Sequence, residues 1–159
     1  MQMNEKPTPG VEQRDFKGAI PLGNARPATL NSTEAMVGSV YHQLGEQKFV
    51  DLVAAFYRGV AQDDVLRAEY PEEDLGPAEI RLRMFLIQYF GGPSTYSEHR
   101  GHPRLRARHF AFKVNRDTRD RWLKHMRAAM DEVSLPPAID ALMWDYFERA
   151  ATAMLNTAD

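Results

Sequence analysis

Residues 88–109 of the chain read QYFGGPSTYSEHRGHPRLRARH, and this segment separates two regions of helical pattern. Its Gly-Gly-Pro step at 91–93 is a strong helix-stop signal, because glycine destabilises a helix interior and proline cannot continue one. From 94 to 114 the chain is polar and has no period longer than one or two helical turns. His109 stands within this segment, directly before Phe110, where a charged imidazole would be unfavourable.

Amphipathic helical patterns lie on both sides of that segment. Apolar residues recur there at the i, i+3, i+4, i+7 spacing that marks one face of a helix. The patterns run through residues 49–60, 78–89, 122–133 and 139–154. Asn115 and Asp117 are suitable N-cap residues for the third pattern, and Pro136 with Pro137 opens the fourth. With no strand alternation and no repeat, the sequence predicts an all-α domain of four main helices with an irregular insert.

Composition limits the class of protein. The chain has 159 residues, a formal net charge of −2 and no cysteine. It can therefore form one domain with a core, but no disulfide, thiolate metal site or cysteine nucleophile. No apolar run approaches the roughly 20 residues of a membrane span, and the N-terminus lacks the apolar core of a signal peptide. We therefore expect a cytoplasmic protein without a membrane span, and the small net charge gives no global attraction to nucleic acid.

The first 32 residues differ from the rest of the chain. They mix proline, glycine and charge without sustained periodicity, which is typical of a flexible extension. Helical patterning begins at Thr33 and, apart from the irregular insert, continues to the end of the given sequence. We therefore expect an N-terminal extension over residues 1–32 and a single domain over 33–159.

The insert and its histidine together favour a bound ligand, because a connection from 94 to 114 is longer than most links between packed helices. An apolar ligand between the helix pairs would give the insert a surface to pack on and His109 a partner. Haem meets both needs, since its faces are apolar, its iron takes a neutral imidazole nitrogen and its propionates attract arginine. The nearby arginines are Arg100, Arg104, Arg106 and Arg108. The alternative is a surface or half-buried histidine on a basic turn.

Three aromatic residues with polar groups stand out in the helical regions. They are Tyr57, Tyr70 and Trp122. A buried tyrosine or tryptophan usually finds a hydrogen-bond partner for its O–H or N–H. Converging on a pocket opposite His109, the three would donate hydrogen bonds to bound O₂. The alternative is that each one only fills core volume.

A family resemblance rests on two segments. These are AAFYRGVAQDDVLRAEYPEEDLGPAEIRLRMFLIQYFGGPSTYSEHRGHPRLRARH, residues 54–109, and RDRWL, residues 119–123. With them, residues 38–157 resemble the group II, O-type, actinobacterial truncated haemoglobins. The resemblance implies the truncated globin fold, a two-over-two helical sandwich around a haem, with an extended loop before the proximal histidine. It does not include the N-terminal extension.

The resemblance also implies roles for individual residues. His109 matches the proximal iron ligand, Tyr57, Tyr70 and Trp122 match the distal residues that stabilise a bound gas, and Ala78 matches the distal gate. Arg81 is a candidate propionate partner. The remaining expected haem-binding residues are Leu82, Phe85, Tyr96, His102, Leu105, Arg106 and Phe112. One departure is Phe90, which stands where similar members carry tryptophan, a conservative change expected only to repack the core.

The function that follows from this resemblance is haem chemistry with diatomic gases. We expect haem b, iron protoporphyrin IX, to bind O₂, NO and CO, either for O₂ binding and transport or for NO dioxygenation or peroxidase-like detoxification. Turnover of NO would need a separate reductase, because the chain has no glycine-rich nucleotide fingerprint and no room for a flavin domain. The oligomeric state stays open, with a homodimer among the alternatives.

A non-haem metal protein is the first rival interpretation. His99, His102 and His109 form an H-x₂-H-x₆-H pattern, with carboxylates such as Glu98 and Asp117 nearby. Three imidazoles can hold zinc or iron, although this spacing fits no established metal motif.

A helical interaction module without a cofactor is the second rival. The arginines between 100 and 108 resemble a site for phosphate or nucleic acid. The chain is slightly acidic, however, and no aromatic residues are interleaved before the arginines. Stability that depends on haem would distinguish the globin from this alternative.

Overall fold

The computed structural model describes residues 31–158, which contain eight helices. The helices are α1 Ser32–Leu44, α2 Glu46–Ala61, α3 Asp64–Arg67, α4 Gly76–Tyr89, α5 Thr95–Arg100, α6 Leu105–Arg108, α7 Arg116–Val133 and α8 Pro137–Ala153. Within these bounds no helix is long and apolar enough to cross a membrane. The predicted extension over 1–32 lies, apart from its last two residues, outside the described part of the chain.

Four long helices form two layers. Helix α2 packs against α4 and, over its longest interface, against α7, while α7 packs against α8. The connection from α7 to α8 is short, which is typical of antiparallel neighbours. The α2–α4 pair therefore lies over the α7–α8 pair, and the predicted two-over-two all-α fold is confirmed.

The predicted apolar faces form the core. On α2 the side chains of Phe49, Val53 and Phe56 are completely buried, and on α7 so is that of Met126. Burial of such a side chain stabilises the fold by roughly 1.5–3 kcal/mol relative to exposure. These side chains belong to one continuous core that both layers share.

Helix α1 was not separated from α2 by the sequence pattern. The two are divided at Gly45, whose φ of 80° lies in the left-handed region that favours glycine. Helix α1 docks on the end of α4, where the Tyr41 N–H donates to the Phe90 carbonyl at 2.9 Å. At Gly91, with φ of 97°, any Cβ would collide with the Gly38 carbonyl oxygen. Glycine at that position therefore permits the close approach of α1 to the end of α4.

The insert from 94 to 114 contains two short helices, α5 and α6, within otherwise irregular chain. Gln88 holds α5 through two hydrogen bonds with Ser97, at 2.7 and 2.9 Å. The Arg108 side chain folds back on the insert and donates to the carbonyls of Pro103 at 2.7 Å and Arg100 at 2.8 Å. These contacts make the insert an ordered wall that covers one side of the helix layers.

Candidate functional site

A cavity of about 500 Å³ opens between the helix layers and the insert. Its walls are mainly apolar and aromatic, as expected of a site for a large apolar ligand. Eleven of the predicted site residues line it: Tyr57, Tyr70, Ala78, Arg81, Leu82, Phe85, Tyr96, Leu105, His109, Phe112 and Trp122. The fold thus brings together residues that are spread over 66 positions of sequence, from 57 to 122.

His109 is the C-cap residue of α6 and lines this cavity. Its Nδ1 lies 2.6 Å from the Leu105 carbonyl oxygen, which can only accept, so Nδ1 carries the proton. Burial lowers the pKa of His109, although the Leu105 contact acts in the opposite direction. The ring is therefore neutral near pH 7, and Nε2 keeps its lone pair. That is the form of imidazole that binds a metal ion.

Tyr57 and Tyr70 form a pair in the wall. Their ring centroids are 5.7 Å apart and nearly perpendicular. Burial, followed by the neighbouring Tyr70 hydroxyl, raises the pKa of Tyr57, and burial also raises the pKa of Tyr70. Both hydroxyls therefore stay protonated at neutral pH. Because they are hydrogen-bonded to each other, one O–H of the pair remains to donate to a third group.

Trp122 lies between two phenylalanines on the same cavity. Its ring centroid is 5.0 Å from that of Phe56 on α2 and 5.7 Å from that of Phe147 on α8. These contacts restrict the orientation of the indole. Among the described residues its N–H has no acceptor, so it is available to a ligand. Ala78, which is buried in the same wall, supplies no side-chain donor.

Charged side chains occur along the cavity lining. Arg81 is paired with Glu72, its Nη2 lying 2.6 Å from Oε1, and this pairing lowers the pKa of Glu72. The other oxygen of Glu72 is buried without a hydrogen-bond partner in the described chain. The guanidinium groups of Arg100 and Arg108 each lie 5.9 Å from the centre of the Tyr96 ring.

Two further cations of the lining, Lys113 and Arg119, were not singled out from the sequence. A signal for Arg119 was present, because it stands three positions before Trp122 on the same face of α7. Lys113 lies in irregular chain, where periodicity offers no such indication.

His102 and Arg106 do not line the cavity. The His102 side chain is exposed, and its Nδ1 accepts from the Arg104 backbone N–H at 3.2 Å. Arg106 is also exposed and extends to the Ala153 carbonyl at 3.4 Å. Their predicted contact with a cofactor therefore has no support in this geometry. In residues 31–158, moreover, no three histidine or carboxylate side chains are grouped to hold a metal ion, so the H-x₂-H-x₆-H interpretation lacks a ligand set.

Comparison with known proteins agrees with the geometry. A family model described as bacterial-like globin matches residues 39–156. Group 2 truncated hemoglobin YjbI of Bacillus subtilis is 38% identical, over 75% of this chain and 89% of its own length. This chain belongs to the group II truncated haemoglobins.

Solved structures of truncated haemoglobins extend that likeness to three dimensions. A thermostable hemoglobin from the actinobacterium Thermobifida fusca shares 55% identity with a TM-score of 0.71, covering 79% of this chain and 97% of the other. A hemoglobin from Chloroflexus aurantiacus shares 48% identity with a TM-score of 0.72, covering 74% and 97% of the two chains. Both likenesses cover about three quarters of this chain.

Haem is the cofactor that membership of the globin family implies, and the residues of this truncated haemoglobin fit it. The cavity has apolar walls and a volume suited to a large flat ligand. A neutral imidazole presents an unprotonated nitrogen, and Arg100, Arg108, Lys113 and Arg119 offer positive charge for carboxylate groups.

Proposed function

We propose that this truncated haemoglobin binds haem b through His109 and reversibly binds O₂, and with it NO and CO. The observation that carries the proposal is the hydrogen bond of 2.6 Å between His109 Nδ1 and the Leu105 carbonyl. It holds the ring in the tautomer whose Nε2 can bind iron, and it makes that nitrogen more basic. A histidine that merely filled space would have no need of this arrangement beside a large cavity.

Haem b is preferred to a covalently attached haem because the chain has no cysteine to form a thioether bond. The cofactor would then be held by His109, by the apolar walls and by ion pairs with its propionates. Arg100 and Arg108 are suited to the last role, since both guanidinium groups are positioned over Tyr96 at the cavity. Arg81 could add to it only by sharing its charge with Glu72.

Bound haem would supply an iron atom that can bind a diatomic gas, and His109 would hold that iron. Near the gas, Trp122 would offer its N–H, and the Tyr57–Tyr70 pair would offer the one O–H that is not used in the hydrogen bond between the two tyrosines. O₂ would carry partial negative charge once bound, so these donors would stabilise it and slow its escape. We propose Trp122 as the main donor, because its N–H has no competing acceptor in the described residues and Ala78 supplies none.

The stabilising donors support reversible binding of O₂ as the primary function. That function needs no second protein. NO dioxygenation or peroxide reduction at the same site would draw electrons from a separate reductase, since the chain carries no nucleotide fingerprint.

The test is an absorption spectrum of ferric, dithionite-reduced and CO-bound protein. We expect the wild-type protein to show a five-coordinate ferrous spectrum that converts fully with CO. His109→Ala should lose that spectrum and regain it with added imidazole, because small imidazole can occupy the space left by the ring. His102→Ala is the matched control and should behave like wild type, as its ring does not line the cavity. An unaltered five-coordinate spectrum in His109→Ala would refute the proposal.

A further inference from the structure

The helix that carries His109 cannot position it alone. Helix α6 has four residues, and isolated helices that short are not stable in water. Its N-cap residue, Arg104, has a φ of 43° and so begins the helix from a left-handed conformation that is unfavourable for a residue with a side chain. The place of His109 must therefore be determined by contacts from outside α6.

Those contacts come from a residue beyond the end of α8. The Asn156 side chain donates from Nδ2 to the carbonyls of His109 and Phe112, both at 3.0 Å. Its Oδ1 accepts from the Val114 N–H at 3.0 Å. The Asn156 backbone N–H also donates to the Val114 carbonyl at 2.9 Å. One side chain thus joins both ends of the 109–114 segment to the last helix.

The donor pattern is specific to a primary amide. Two N–H groups and one carbonyl oxygen on the same planar group meet two carbonyls and one N–H of the segment. The three backbone groups have partly buried hydrogen bonds, so the loss of the amide would leave them to compete for water or to move. Movement at the His109 carbonyl moves the attached ring.

Asn156 and Leu105 constrain His109 at two points. Leu105 holds the ring at Nδ1, 2.6 Å away, while Asn156 holds the main chain at the carbonyl. We propose that Asn156 is a positioning residue, which holds His109 at the depth and orientation in which Nε2 binds the haem iron. The inference rests on the proposed function and adds to it a residue 47 positions away in sequence.

The test measures the bond that His109 forms rather than gas binding. In Asn156→Ala we expect the iron–histidine stretching band of the ferrous protein, measured by resonance Raman spectroscopy, to shift or broaden. Haem transfer to excess apomyoglobin should become about tenfold faster, which corresponds to the loss of one to two ordinary hydrogen bonds.

A second variant and a control separate positioning from general stability. Asn156→Asp keeps the acceptor for Val114 but sets an oxygen against two carbonyls, so its effect should equal or exceed that of Asn156→Ala. Asn31→Ala removes the same amide from the capping box of α1. It should lower the melting temperature and leave the stretching band unchanged.

The two proposals fail in different ways. A wild-type protein without a five-coordinate ferrous haem would refute the proposed function. A normal wild-type spectrum together with an unchanged stretching band and haem transfer rate in Asn156→Ala and Asn156→Asp would refute the positioning role alone. A band shift of equal size in Asn31→Ala would also refute it, because the effect would then follow from lower stability.

Discussion

At position 109 the chain sets an imidazole among apolar side chains, and two features make that arrangement stable. The Leu105 carbonyl satisfies Nδ1, and burial holds the pKa of the ring below its usual range, so no charge has to be buried. On the same cavity, the raised pKa values of Tyr57 and Tyr70 keep their hydroxyls as donors. His109 thus presents a nitrogen that can bind iron, and the two tyrosines give the cavity a polar region suited to a small gas.

Substitution of Trp122 by phenylalanine tests the polar region. Trp122→Phe removes the indole N–H and keeps an aromatic ring between Phe56 and Phe147. We expect the O₂ dissociation rate to rise about tenfold or more, because a donor to a partly charged acceptor contributes roughly 1.5–3 kcal/mol. Stopped-flow displacement of O₂ by CO measures this rate.

Trp144→Phe provides the matched control for that measurement. Trp144 lies on α8, packs under the Arg127 guanidinium at 5.0 Å and does not line the cavity. Its replacement should leave the O₂ dissociation rate at the wild-type value. Equal rates in wild type and Trp122→Phe would exclude Trp122 as the main donor.

Among the secondary-structure elements, α3 and α7 are joined by a cluster of charged groups around Asp63. The Asp63 side chain caps α3 at the Leu66 N–H, and its other contacts are with Arg121 at 3.1 Å and His125 at 2.8 Å, both on α7. The hydrogen bond from His125, the Leu66 N–H and the charge of Arg121 lower the pKa of Asp63. This junction holds the segment leading to Tyr70 against the layer that carries Trp122.

The lowered pKa of Asp63 predicts how this junction depends on pH. An aspartate whose pKa is lower in the folded state adds stability above its unfolded pKa, near 3.8, and that contribution disappears as pH falls through the folded pKa. We expect Asp63→Asn, which preserves a capping side chain, to lower the free energy of unfolding by about 1 kcal/mol at pH 7. The difference should shrink below pH 3.8. Urea unfolding at pH 7 and at the lowest pH that permits folding checks both values.

Asp117→Asn is the control for the junction. Asp117 pairs with the same Arg121 at 3.0 Å, but its side chain is 60% exposed. Exposed ion pairs contribute little to stability, so the free energy of unfolding of this variant should remain close to that of wild type at both pH values. If the free energy of unfolding of Asp63→Asn differed from that of wild type by the same amount at both pH values, the ionised state of Asp63 would not account for its contribution to stability.

For the molecule as a whole, the cavity is a large space between two helix layers. Side chains of α2, α4, α7 and α8 all contribute to its wall, so a ligand there contacts every long helix that forms the layers. A ligand that binds only the folded state stabilises it by mass action. We therefore expect haem binding and folding to be coupled in this protein.

Removal of haem tests that coupling. We expect the apoprotein to lose part of its helical circular dichroism signal and to melt roughly 10 °C or more below the holoprotein, because bound haem contributes several kcal/mol to folding. Addition of haem should restore both values. An apoprotein with unchanged helicity and melting temperature would instead favour a helical module that needs no cofactor.

Local pattern in the sequence determined the four main helices and their buried faces. The spacing of Phe49, Val53 and Phe56 indicated the face that is buried in α2, because helical periodicity depends only on neighbours along the chain. The family resemblance, carried by residues 54–109 and 119–123, supplied the expected roles of His109 and Trp122, both of which line the cavity.

Tertiary structure alone decided which charged and polar residues reach the site. Of the four arginines between 100 and 108, Arg100 and Arg108 line the cavity whereas Arg104 and Arg106 do not, and no period in that irregular segment distinguishes them. The sequence also gave no indication of the hydrogen bonds between Asn156 and the segment that begins at His109. These bonds join groups 42 to 47 positions apart, and such contacts exist only once the helix layers have brought the end of the insert and the end of α8 together.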